Sequence, residues 1–169
     1  KIVATDGYGP TGPFGATGDQ FGTSVDLNGD RVIVGAPYKD GKEGQAYIYE
    51  YDGAQWQESI LTVAGLSTND YFGQEVAIYG DVAVVAAPGK ENPGGEDTGA
   101  VYTFVKVGAD WVLGTALFPQ APFSAGTSFG ASIAMDENKL FVGAPHYDGQ
   151  DPFVSNQGAV FVYDYEAVA

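Results

Sequence analysis

Cysteine is absent from all 169 residues. No disulfide staples the fold, and thiol catalysis and thiolate metal sites are excluded. Histidine occurs once, at His146. A His-x-x-x-His metal pair is therefore impossible, and a structural place in a loop is expected for that ring. Methionine also occurs once, and runs of good helix formers are scarce, which disfavours helix. Basic residues number seven against 22 acidic ones, a formal net charge of −15. Such a surface repels phosphate backbones and anionic headgroups, so neither nucleic acid nor a membrane surface is an expected partner. Basic ligands and divalent cations stay open, and the acidity itself favours solubility. No run of 18 apolar residues is present, so no helical membrane insertion is expected. There is no Gly-x-x-x-x-Gly-Lys-Ser/Thr phosphate loop and no Asn-x-Ser/Thr acceptor for N-glycosylation. The first residues, Lys1-Ile2-Val3-Ala4-Thr5-Asp6, carry no signal peptide and no initiator methionine, as expected of a processed or excised chain.

What is abundant points to strands and turns. Apolar residues make up 44% and aromatics 14%, too rich for a disordered chain, and 25 glycines with nine prolines require many turns. Three blocks recur in order. Phe21-Gly22, Phe72-Gly73 and Phe129-Gly130 each precede an Ala-Pro pair, Ala36-Pro37, Ala87-Pro88 and Ala144-Pro145, with a constant Phe-to-Ala separation of 15. After each pair comes an aromatic-rich block: Gly44 to Tyr49, Gly99 to Phe104 and Gly158 to Tyr163. Gly53-Ala54-Gln55-Trp56 and Gly108-Ala109-Asp110-Trp111 follow in the first two copies.

Each block reads as a strand. Ser24 to Leu27, Asn28-Gly29 and Arg31 to Val34 form a hairpin signal, with Asn-Gly supplying the turn. Val32 to Val34, Val82 to Val85 and Leu140 to Val142 are short apolar runs suited to strands covered on both faces. Tyr47, Tyr49 and Tyr51 alternate with smaller or charged residues, as do Phe161, Tyr163 and Tyr165, which puts the aromatics on one face. Fourth strands are expected over 56–63 and 111–118. The glycines before each third strand, with Gly35 and Gly143 before Ala-Pro, fit places too narrow for a side chain, and each proline ends its strand. Four strands in roughly 50 residues, repeated, is the pattern of a propeller blade. A β-sandwich does not predict so regular a repeat.

These motifs make the chain similar to FG-GAP repeats, the blade units of integrin α-subunit propellers. Phe21-Gly22 with Gly35-Ala36-Pro37 and Phe129-Gly130 with Gly143-Ala144-Pro145 carry the motif in full, while the middle copy reads Ala86-Ala87-Pro88. The resemblance implies an all-β, propeller-type fold of three four-stranded antiparallel blades, either partial or completed by oligomerisation. One repeat domain over 1–169 is expected: 1–20 as a strand completing a blade, 21–71 as the first blade, 72–128 as the second and 129–169 as an incomplete third. It also implies binding of a protein or glycan, at the cell surface or outside the cell. The calcium loop of integrin-type repeats is not carried over. The segments 26–30, 79–81 and 136–139 leave room only for tight turns, whereas calcium takes six to eight oxygens. No metal and no cofactor is therefore expected.

The longer acidic loops, 39–43, 91–98 and 148–151, read as solvated turns with a ligand contact as the sharper alternative. Trp56 and Trp111 share one repeat position, which favours packing over sugar stacking. Nothing in the sequence selects a pair of carboxylates for catalysis, and a non-enzymatic role is expected, with a glycan hydrolase on the same scaffold, or a fragment of a larger integrin-like adhesion protein, as the alternatives. Finally, Lys1, Ile2, Val3 and Ala4 precede Phe21-Gly22 much as 61–64 precede Phe72-Gly73. Segments 129–169 and 1–20 together hold 61 residues, against 51 and 57 in the complete repeats. The N-terminal strand is thus expected to complete a third-repeat sheet. Three blades are too few for a ring, since propellers have about four to eight, so the strand is expected to be donated to another copy of the chain.

Overall fold

Alternation of apolar and polar residues, with turn residues at fixed intervals, lays the described residues down as eleven strands in three antiparallel sheets. The computed structural model describes residues 1–7, 18–120, 125–149 and 155–164. The first sheet runs in order β1 (Val25–Asn28), β2 (Arg31–Ala36), β3 (Gln45–Tyr51), β4 (Trp56–Leu61). The second repeats it with β5 (Val76–Tyr79), β6 (Val82–Ala87), β7 (Ala100–Val107) and β8 (Asp110–Leu117). The third has three strands, β9 (Ser132–Met135), β10 (Lys139–Ala144) and β11 (Ala159–Asp164). None of the sheets closes on itself, and each is a blade in form.

The sheets stack face to face. Ile33, Ala46, Ile48 and Leu61 of the first blade meet Val76, Ile78, Ala83, Val85, Tyr102 and Phe104 of the second in one buried cluster. The opposite face of the second blade, with Ala77, Val82, Val84, Ala86 and Val101, meets Leu140, Val142 and Ala144 of the third. The middle blade is thus covered on both faces, which is why β6 is buried at every position.

Local chemistry explains the recurring blocks. Gly22, Gly73 and Gly130 each donate their N–H to the carbonyl of the residue before the Ala-Pro alanine, at Gly35, Ala86 and Gly143, over 2.9, 2.9 and 3.0 Å. That bond, together with the positive φ of those glycines (94°, 90° and 91°), sets the constant spacing. Each prolyl residue falls just beyond the end of its strand, as expected. The aromatics of the third strands do share a face. There Phe21 packs edge-on against Tyr47 and Tyr49, Phe72 against Tyr102 and Phe104, and Phe129 against Phe161 and Tyr163. Tyr165 lies outside the described residues.

Two sequence expectations shift. The first hairpin turns on Gly29-Asp30, not Asn28-Gly29, because Asn28 pairs with Arg31. Register follows the buried alternation, and Gly29 supplies the positive φ (60°) at the first turn position. Residues 1–7 form no strand. Ile2 and Ala4 lie instead on the outer face of the first blade, against the cluster of Val34, Ala36, Tyr47 and Tyr49.

Candidate functional site

Two surfaces stand out: the loop end of the stack and its outer faces. At the loop end, the segments between second and third strands that the sequence marks as acidic come together with the turns before each Phe-Gly. At the loop end of the second blade they bound a hollow of about 530 Å3 lined by Asn69, Asp70, Tyr71, Lys90, Glu91 and Asp97, with Gly126 and Ser128 of the turn before Phe129. Beside it Lys42 lies 5.7 and 5.6 Å from the rings of Tyr38 and Tyr71, which meet edge-on at 5.8 Å. Of the third acidic loop, residues 150 and 151 lie outside the described residues.

The floor of this end is an ion pair that repeats. Asp70, buried, holds Lys90 at 3.0 Å and accepts the N–H of Ser67 at 2.7 Å, while Lys90 also donates to the carbonyl of Gly65 at 2.8 Å. One repeat earlier, the buried pair Lys39 and Asp19 stands at 3.8 Å, with Asp6 at 3.3 Å from the same ammonium. In the third repeat Thr127 and Tyr147 occupy the two positions. The signal was visible as Asp-x-Phe-Gly with Ala-Pro-x-Lys in two copies, and the third copy obscured it. Asp70 also raises the Tyr102 hydroxyl, though burial is the larger cause, to about 12.

A second polar array bridges the first two blades at the opposite end. Arg31 pairs with Glu50 at 2.9 Å and with Asp81 of the second blade at 2.8 Å, and Lys106 of the second blade pairs with Glu50 at 2.5 Å. Both cations lie over Trp111, at 5.6 and 5.4 Å. Burial pushes the Glu50 carboxyl up, but Lys106 and then Arg31 outweigh it and hold it below its ordinary value of 4.5. Trp111 thus packs, as its repeat position indicated. Trp56 is more exposed and rests on Tyr51, with ring centroids 5.2 Å apart.

The one histidine has a neighbour that bears on catalysis. His146 Nδ1 lies 3.1 Å from Ser128 Oγ, and Ser128 stands in Gly126-Thr127-Ser128-Phe129-Gly130, a Gly-x-Ser-x-Gly spacing not recognised from the sequence. Its geometry is that of the repeat. Gln20, Tyr71 and Ser128 occupy one position with φ of 53°, 56° and 55°, in a turn leading to a strand rather than a strand–turn–helix elbow. The Ser128 hydroxyl has the Gly126 carbonyl at 3.2 Å for its single proton. No carboxylate touches the His146 ring among the described residues. Nor is there a group of three acidic or histidine side chains able to hold a metal among the described residues.

Of the expected repeat-motif residues, Gly35, Phe72, Gly73, Ala87, Phe129, Gly130 and Ala144 meet at the blade interfaces, while Phe21 and Ala36 lie on the outer face of the first blade. A side chain begun at Gly44 would meet the Phe72 carbonyl oxygen at 2.0 Å, and one at Gly35 the Gly73 carbonyl oxygen at 1.9 Å. One at Gly99 would meet the Phe129 carbonyl oxygen at 2.3 Å. Phe72 and Phe129 each donate an N–H to the preceding blade, to Glu43 and Thr98 carbonyls over 2.9 Å.

Blades that plug into one another through a Phe-Gly turn define a stack of the β-propeller class. The FG-GAP repeat model matches residues 11–49 and 56–104, more than half of the sequence, and the chain belongs to the FG-GAP repeat family. The third blade, beyond those matches, keeps the same hydrogen bonds. No curated protein matches the chain. FG-GAP repeats occur in integrin-like adhesion and binding proteins, typically extracellular or surface ones, and the family is generally non-enzymatic. No helix among the described residues is long and apolar enough to cross a membrane.

Proposed function

We propose that this chain is a non-enzymatic binding and assembly module, acting at the cell surface or in an extracellular assembly, that associates with copies of itself and engages a protein or glycan through its loop end. The observation that carries the reading is the third blade. β11 is an edge strand with no partner on its outer side among the described residues, where the first two blades have a fourth strand. An unpaired edge is a template for strand addition. Lys1, Ile2, Val3 and Ala4 supply such a strand in another copy after leaving the first-blade face on which Ile2 and Ala4 rest. The hollow around Asn69, Tyr71 and Asp97 offers the mixed aromatic and polar lining that glycans and polar peptides use.

Light scattering on the full chain and on a variant lacking residues 1–5 tests the assembly. Association that is lost on deletion supports strand donation, and a single-chain mass for both overturns it. A glycan array with parallel hydrolysis assays separates binding from the rival glycan hydrolase. Retention without turnover supports the module; turnover abolished by one Asp or Glu substitution supports the enzyme.

A further inference from the structure

We propose that the outer face of the third blade is a socket for the Phe21-Gly22 turn of a second copy of this chain, so that blades stack between chains as they stack within one. The inference rests on the self-association reading and names its contact.

Within the chain the contact occurs twice. The turn at Phe72-Gly73 enters the first blade at Gly35 and Gly44; the turn at Phe129-Gly130 enters the second at Gly99, where an added Cβ on Gly130 would lie 2.9 Å from Ala86 and 3.0 Å from Val101. Both phenylalanines are fully buried. The two remaining halves have no partner turn among the described residues. At Gly22 an added Cβ meets nothing within 4 Å, although its φ matches those of Gly73 and Gly130. At Gly158, the counterpart of Gly44 and Gly99, the nearest atoms are those of Pro145 of its own blade, at 3.3 Å. The third blade keeps the shape of the socket there, an open apolar hollow of about 550 Å3 lined by Gly143, Ala144, Gly158, Ala159 and Val160 among others.

The surrounding faces match in the same way. On the third blade Phe141, Val160 and Val162 are 41%, 64% and 53% exposed, while their counterparts Val84, Val101 and Thr103 in the second blade are at 0%. On the first blade Val25 and Leu27 are 62% and 68% exposed, while Val76 and Ile78 are at 5% and 3%. One face is thus the tail of the repeat and the other its head. The occupant that fits the tail is the head presented by the same sequence. Three blades from each of two copies give a ring of six, within the usual range of about four to eight, through two identical head-to-tail contacts.

Sedimentation of the full chain across a concentration series, with Val160→Glu on the tail and Leu27→Glu on the head, tests the proposal. Both sites are exposed, so circular dichroism and melting temperature of the single chain should not change. Each variant alone should raise the dissociation constant at least about 100-fold by placing a charge in an apolar contact. An equimolar mixture of the two should pair more tightly than either variant alone, through the one contact whose two halves are both intact, and less tightly than the parent ring. A mixture that pairs no better than either variant overturns the head-to-tail contact. Variants that associate as the parent does overturn the socket but leave self-association standing, whereas a parent that stays a single chain overturns both.

Discussion

At Gly44 and Gly99 the neighbouring blade's backbone lies where a side chain would begin, and it cannot retreat without breaking a hydrogen bond. Gly44→Ala therefore combines a left-handed backbone with overlap and should cost about 3 kcal/mol. Gly53→Ala, at φ 94° with nothing within 4 Å, should cost only about 1–2 kcal/mol. Urea denaturation of the two variants checks the difference. The Asp70–Lys90 pair makes a second residue-scale case. Asp70→Thr leaves the partly buried Lys90 without its carboxylate and should cost about 1–3 kcal/mol. Adding Lys90→Tyr installs the third repeat's own solution, Thr127 with Tyr147, and should restore most of the loss in the same melts.

Among elements, the charged array between the first two blades is sensitive to acid. The folded Glu50 carboxyl titrates below its ordinary 4.5. Its stabilisation is therefore present above pH 4.5 and is lost as the pH falls through the lower folded value. Glu50→Gln should lose about 1–3 kcal/mol at neutral pH and converge with the parent below that window, as chemical denaturation across a pH series will show. This array also marks the limit of what the sequence discloses. The spacing of Phe-Gly to Ala-Pro was legible because one backbone hydrogen bond fixes it in every copy. The aromatic alternation was legible because a strand has a period of two. Arg31, Glu50, Lys106 and Trp111 carry no such period, since they meet across blades, and nothing local announces the meeting. The position of Lys1 to Ala4 was equally hidden. A short apolar segment has the same pattern whether it pairs along an edge or lies across a face, and here Asp6 tips the balance by bonding the Tyr47 hydroxyl and the Lys39 ammonium.

For the whole molecule, the placement of the seven basic residues decides how copies meet. Arg31, Lys39, Lys90, Lys106 and Lys139 are in ion pairs, and Lys42 lies between two tyrosines. The surplus of acids is left largely to the surface. Two chains of charge −15 repel at long range, and salt shortens that reach to about 8 Å at physiological ionic strength. Association through apolar faces should consequently tighten as sodium chloride rises from about 20 to 500 mM, the reverse of a contact made by ion pairs. Sedimentation at three salt concentrations distinguishes the two.

The blades are not held equally. Ser24 and Asn28 of the first blade accept the outward N–H groups of Val76 and Gly80 at 3.1 Å, and Asp26 that of Ile78 at 2.9 Å. The second blade offers Glu75, Ala77 and Tyr79 at those positions, and alanine has no acceptor to give the third. In a linear stack, stability is a sum of unit and neighbour terms, so opening begins at the weaker junction. Amides of β9 to β11 should exchange through a partial opening that leaves β2, β3, β6 and β7 protected. Association should slow that exchange, because the loosest part of the chain is also the part that carries the socket.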